Sequence, residues 1–217
     1  MRDPALASIY VSYFNETHRM VRDTMRRFVN EAVKPHIDAW EEAGGFPREV
    51  YVQAGNLGLL GIGHPTEFGG AGEADVFLKV AASEELMRSG SGGFVASLGS
   101  LDIGLPPIWR TGSRALKQRI VPQVLAGEKI IALAITEPSG GSDVANLKTR
   151  AVRDGDHYVV NGSKTFITSG ARADYYTVAV RTGEAGFGGV SLLLIEKGTP
   201  GFTVGRNLKK MGWWASD

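Results

Sequence analysis

The 217-residue chain contains no cysteine. That excludes disulfides, thiolate nucleophiles, Cys-ligated zinc and Cys-ligated iron–sulfur clusters together. It fits a cytoplasmic or similarly reducing compartment, which is the expected location. Histidine is scarce: His18, His36, His64 and His157 stand alone, none at metal-ligand spacing from a partner, so no metal site is expected. Charge of one sign is also lacking. Lys plus Arg number 24 and Asp plus Glu 23, so neither nucleic acid nor a membrane surface is expected as a partner held by bulk charge. No stretch approaches the ~20 apolar residues that span a bilayer; the longest, such as 130–135, are strand-sized. The opening MRDPALASIY has no basic segment followed by an apolar core, so no signal peptide is expected. With 43% hydrophobic and 22% charged residues, the composition is that of an ordinary globular protein.

Glycine is plentiful, 29 residues or about twice ordinary usage, without a fixed period. It therefore reads as turns and close backbone contacts. The chain changes character near residue 130. Before it, apolar positions recur at helical steps. Phe14, His18, Val21, Met25, Phe28 and Val29 form one face, with Arg19, Arg22, Arg26 and Arg27 mostly on a solvated one. Pro35 should end or kink that helix. Pro47 should open a short helix through about Ala54, and Asp75 should cap another that carries Phe77, Val80, Ala81, Glu84 and Met87. One helix is expected across 93–105 and a last one from about Ser113 to Gly127. After residue 130, seven short runs rich in β-branched and aromatic residues read as strands: 130–135, 149–153, 158–161, 165–168, 175–181, 190–196 and 202–206. The fold class is α+β. Residues 1–129 make an antiparallel helical domain and 130–217 a β-barrel-like or sandwich-like domain.

Two segments carry chemistry. Residues 133–143 read LAITEPSGGSD. A strand delivers Thr136, Glu137-Pro138 turns the chain, and Ser139-Gly140-Gly141-Ser142-Asp143 follows as a run of amides and hydroxyls. Paired glycines permit close backbone approach, and successive N–H groups can cradle a phosphate; an ordinary Gly-Ser loop has the same composition. Residues 161–170 read NGSKTFITSG. Asn161-Gly162 reads as a hairpin turn. In the strand expected after it, Lys164, Phe166 and Thr168 share one face and Thr165 and Ile167 the other. An aromatic ring and a hydroxyl on one face could serve a planar ligand; a half-buried strand would look alike.

Together the two segments resemble the flavin-binding middle domain of the acyl-CoA dehydrogenases, which shows T-E-P-x-x-G-S-D and then N-G-x-K-x-[WF]-I-T-x-G. Phe46-Pro47-Arg48-Glu49, Gly58-Leu59-Leu60-Gly61, Phe68-Gly69-Gly70 and Lys210-Met211-Gly212-Trp213 resemble further landmarks of that family in the same order. The likeness covers about residues 14–217. It implies that FAD lies against the β-domain, with Leu133, Ile135 and Thr136 at the isoalloxazine and Gly141 and Ser142 at the pyrophosphate region. Phe166 and Ile167 would lie beside the ring, with Thr168 near N5. Leu133 and Phe166 stand where the family often has an aromatic and Trp, and Ser169 where it often has Asn. The implied reaction is α,β-dehydrogenation of an acyl-CoA, with reduced flavin passing electrons to an electron-transferring flavoprotein and the enzyme a homodimer or homotetramer. Ser142 and Gly99 are the substrate-binding candidates. Gly99 falls in SGSGGFVASLGS, where small side chains mean either close helix packing or an acyl cavity.

The resemblance also implies a general-base glutamate on a C-terminal four-helix bundle, beyond Asp217, so no catalytic residue is assigned here. Glu137 reads as part of a structural turn. The ending GWWASD, with two adjacent Trp, reads as that of a truncated, partial or split product. Two alternatives remain beside the dehydrogenase: a non-catalytic flavin- or acyl-CoA-binding subunit completed by another chain, and an oxygen-using flavoenzyme on the same scaffold.

Overall fold

The computed structural model describes residues 13–72 and 75–217; the reading of the first ten residues lies outside them. Helix α1, Glu16–Phe28, starts at Asn15, whose side chain accepts from the His18 amide while the His18 ring accepts from the Asn15 amide. The two orphan donors of the helix start are thereby satisfied reciprocally. A π-turn, Val29–Val33, continues it to the expected stop at Pro35. There follow α2 (Ile37–Ala43), α3 (Glu49–Asn56), α4 (Val76–Met87), α5 (Gly92–Leu98), α6 (Leu101–Gly104), α7 (Pro106–Thr111) and α8 (Arg114–Leu125). Asp75 caps α4 as expected, accepting from the Leu78 amide, and Ser113, near which the last helix is expected to start, caps α8 by accepting from the Leu116 amide.

Three helical expectations need correction. The segment that starts at Pro47 becomes helical only at Glu49. The single helix across 93–105 is two, broken at Gly99 and Ser100. The break lets Gly104 press on the first strand, where a Cβ would lie 3.2 Å from the Ala132 carbonyl carbon. The arginine face of α1 is not simply solvated. Arg22 is buried, its Nη2 2.6 Å from Glu84 Oε2, and Arg26 Nη2 lies 2.7 Å from Glu85 Oε1. The hydrogen bond from Arg26 pulls the buried Glu85 carboxyl below its ordinary pKa. Glu84 and Glu85 therefore tie α4 to α1.

The β-rich half is a mixed five-stranded sheet. Its strands are β1 (Ile131–Ala134), β2 (Arg150–Asp154), β3 (His157–Asn161), β4 (Tyr175–Arg181) and β5 (Val190–Glu196). The organising strand is β4. It runs parallel to β1 with Leu133 opposite Thr177, meets β2 at Arg150–Arg181, and pairs antiparallel with β5 along its whole length. Its residues 175–180 are all buried, which explains its unbroken run of apolar and aromatic residues. The β2–β3 hairpin turns at Gly155 (φ 62°), so Asn161-Gly162 ends a strand and turns no hairpin.

Two expected strands, 165–168 and 202–206, are absent among the described residues. Phe166 and Ser169 have φ of 56° and 61°, which an extended strand cannot contain. Phe202 closes a turn onto the Thr199 carbonyl and packs its ring 4.8 Å from Tyr176. One continuous core joins the halves, from Met25 and Phe28 through Phe94 and Ile120 to Ile131 and Val178. The Thr177 hydroxyl donates to the Gly104 carbonyl at 2.7 Å across that seam. No helix among the described residues is long and apolar enough to cross a membrane, and no group of three potential metal ligands occurs there.

Candidate flavin and acyl site

The end of β1 and the 164–170 segment are brought together as two connected layers. The Thr165 amide donates to the Thr136 carbonyl at 2.9 Å, and Lys164 Nζ donates to the Ile135 carbonyl at 2.8 Å. Leu133, Ile135, Thr136, Ile167 and Thr168 are all half-buried around this junction. Lys164 does not share an exposed strand face with Phe166. Its ammonium turns inward to Glu137 Oε1 at 2.9 Å, and both side chains are nearly enclosed.

Glu137 is the hub. Its carboxylate also accepts from the main-chain amides of Lys148 and Thr149. Burial alone would raise its pKa, but the hydrogen bonds from Thr149, Lys164 and those amides outweigh it and hold the carboxyl at about 2. A carboxylate so committed is a poor proton acceptor, in keeping with its reading as a structural element. The inward role of Lys164 was not legible in the alternation pattern, which cannot report a left-handed residue two positions later.

The Glu137 amide donates to the Gly140 carbonyl at 3.0 Å and the Gly140 amide returns to Glu137 at 3.1 Å. This tight turn leaves a run beyond it. Among the described residues, the amides of Gly141, Ser142 and Asp143 donate to no main-chain carbonyl. A Cβ on Gly141 would sit 3.2 Å from the Thr136 methyl, so the loop lies close over Thr136. On this exposed loop three successive N–H groups are left without a main-chain acceptor, and the Asp143 carboxylate accepts from the Asn146 side-chain amide.

Phe166 is three-quarters exposed, with φ at 56°. A bulky side chain in the left-handed region costs on the order of 1–2 kcal/mol, and such strain concentrates at ligand sites. Phe166→Gly is therefore expected to stabilise the chain by about 1 kcal/mol, because little packing is lost and the strain is relieved. Urea titration of both proteins checks this; unchanged or lower stability would contradict it.

The small-residue segment divides in two. A Cβ on Gly92 would fall 2.3 Å from Trp213 Nε1, and one on Gly93 2.8 Å from the Trp213 carbonyl carbon, so those glycines serve close packing. Trp213 and Trp214 remain at least half exposed. Gly99 instead borders a cleft of about 130 Å³ lined by Met25, Leu59, Leu86, Leu98 and Leu101, with Lys79 and Asp102 also at its wall. A larger cleft, about 470 Å³, opens between Trp40, Phe46, Arg172 and Asp217; none of the site residues lines it.

Residues 15–128 match the N-terminal domain of the acyl-CoA dehydrogenases, and residues 132–216 match their middle domain. The chain belongs to the acyl-CoA dehydrogenase family. The long-chain specific mitochondrial acyl-CoA dehydrogenase of Mus musculus is 40% identical over 207 residues, covering 94% of this chain and 48% of the mouse protein. A probable acyl-CoA dehydrogenase from Mycobacterium abscessus superposes with a TM-score of 0.91 at 50% identity, over 94% of this chain and 55% of that one. An acyl-CoA dehydrogenase from Bacillus anthracis, solved with FAD, superposes at 0.83 and 32% identity over 94% of this chain and 34% of that one. This chain thus spans about half the length of the curated relatives it matches.

Proposed function

We propose that this chain provides the flavin- and acyl-CoA-binding part of an FAD-dependent acyl-CoA dehydrogenase. The observation that carries the reading is the Gly141-Ser142-Asp143 run of uncommitted amides, held one loop away from Thr136 and Thr168. FAD, when bound, accepts the hydride that leaves the β-carbon of the thioester. The chain's own groups position and polarise. The free amides and the Ser142 hydroxyl receive the pyrophosphate. Leu133, Ile135, Phe166 and Ile167 offer apolar surface to the ring system, and the Thr136 and Thr168 hydroxyls donate to its polar edge. The Gly99 cleft takes the acyl chain against its apolar residues Met25, Leu59, Leu86, Leu98 and Leu101. The pinned Glu137 does not remove the α-proton; the family resemblance gives that role to a glutamate outside these two domains. An electron-transferring flavoprotein as acceptor, homo-oligomeric assembly and a cytoplasmic location belong to the same reading.

Chromatography of flavin released by heat from the purified protein tests it. FAD is the expected product, and recovery of FMN alone would overturn the assignment of the amide run to a pyrophosphate. Phe166→Gly should release FAD more readily despite its gain in stability, because it loses the apolar face offered to the ring.

A further inference from the structure

The loop that carries the free amides is held at both ends. Glu137 fixes its near end and returns to the amides of Lys148 and Thr149. The far end is fixed by a residue with no place in the motifs, Arg181, at the end of β4. Its Nη2 donates to the Ala145 carbonyl at 2.6 Å and its Nε to the Leu147 carbonyl at 3.2 Å. Its Nη1 donates to the carbonyls of Glu184 at 2.6 Å and Gly186 at 3.1 Å. Its own amide donates to the Thr149 carbonyl at 2.7 Å.

Every acceptor the structure gives this guanidinium is a main-chain carbonyl. The fork of the guanidinium spans two loops at once, a geometry that a lysine ammonium cannot reproduce. Space for it is kept by Gly189, where a Cβ would lie 2.9 Å from Arg181 Nη1 and 1.8 Å from the Glu184 carbonyl oxygen.

We propose that Arg181 is a positioning residue for the flavin phosphates. It clamps the turn Val144–Asn146 to the 184–186 loop and so holds the amides of Gly141, Ser142 and Asp143 in their anion-ready shape. The proposal rests on the FAD reading for its ligand, but the clamp itself is a property of the chain alone. A loop that visits its binding shape only part of the time loses apparent affinity by that fraction. Arg181 acts through the loop and touches no reacting atom.

The test compares the unaltered chain with Arg181→Met and Arg181→Lys, all flavin-free, by amide hydrogen exchange, and then titrates each with FAD. Both variants should exchange faster at the hydrogen-bonded amides of this region, Gly140, Asn146–Thr149 and Gly183, while the helical residues 16–125 keep their protection. FAD affinity should fall by about tenfold in each, the factor for a loop correctly shaped about a tenth of the time. Unchanged exchange at 138–149 in Arg181→Met would overturn the clamp. Full retention of both properties by Arg181→Lys would show that charge suffices and overturn the role of the fork. Loss of protection throughout the chain would make Arg181 a stability residue and count against the proposal. Failure of the unaltered chain to bind FAD would overturn the flavin reading and the ligand side of this proposal, while the exchange comparison still decides the clamp.

Discussion

Replacing Glu137 by Gln is expected to destabilise the protein by about 3–5 kcal/mol at neutral pH, the usual consequence of breaking one partner of a buried ion pair. Lys164 would be left enclosed with a neutral amide, and two main-chain donors would lose a charged acceptor. The same carboxylate governs the acid limb. Its folded pKa of about 2 lies below the ordinary 4.5, so on acidification the unfolded chain takes the proton first. Its contribution is complete above about pH 4.5 and is lost as the pH falls through 2. A shift of that size corresponds to about 3 kcal/mol. Urea titrations from pH 7 down to pH 2 should show the wild type losing this stability across that window and Glu137→Gln losing correspondingly less. Parallel pH profiles for the two proteins would remove Glu137 from its place as hub.

Gly162→Ala should be nearly as damaging, although it adds one methyl group. A Cβ there would meet Thr149 Oγ1 at 2.4 Å and Thr149 Cα at 2.6 Å, with φ at +154°. Thr149 cannot give way freely, because its amide is held by Glu137 and its carbonyl by the Arg181 amide. Backbone strain and overpacking each cost on the order of 1–3 kcal/mol, so a loss of about 2–6 kcal/mol is expected. A neighbouring control, Gly155→Ala, has open space around its Cβ and only the cost of its left-handed φ. Equal midpoints for Gly162→Ala and the wild type in thermal denaturation would mean that Thr149 is not fixed as described.

The helix starts at Asn15, Asp75 and Ser113 follow from local chemistry. A short polar side chain satisfies an orphan amide three residues on, and nothing distant is needed to decide it. The strands β1, β4 and β5 were likewise legible, since their β-branched and aromatic runs match surfaces that the core must bury. The glycines and hydroxyls of the 139–143 loop were legible in sequence, although only the fold says which of its amides lack a main-chain acceptor. Arg22 reads as solvated along its own helix because periodicity reports one helix at a time. Its burial depends on Glu84, 62 residues away on α4. The segment 165–168 alternates as a strand would, yet the inward pull of Glu137 on Lys164 and the left-handed turns at Phe166 and Ser169 are long-range results. Glycine shows the division most directly. The sequence by itself determined that Gly92, Gly93 and Gly99 leave a surface without side chains. Only the tertiary structure decided that Trp213 fills it at the first two and a cleft opens at the third, because packing is settled by which distant segment arrives, and local sequence holds no record of that arrival.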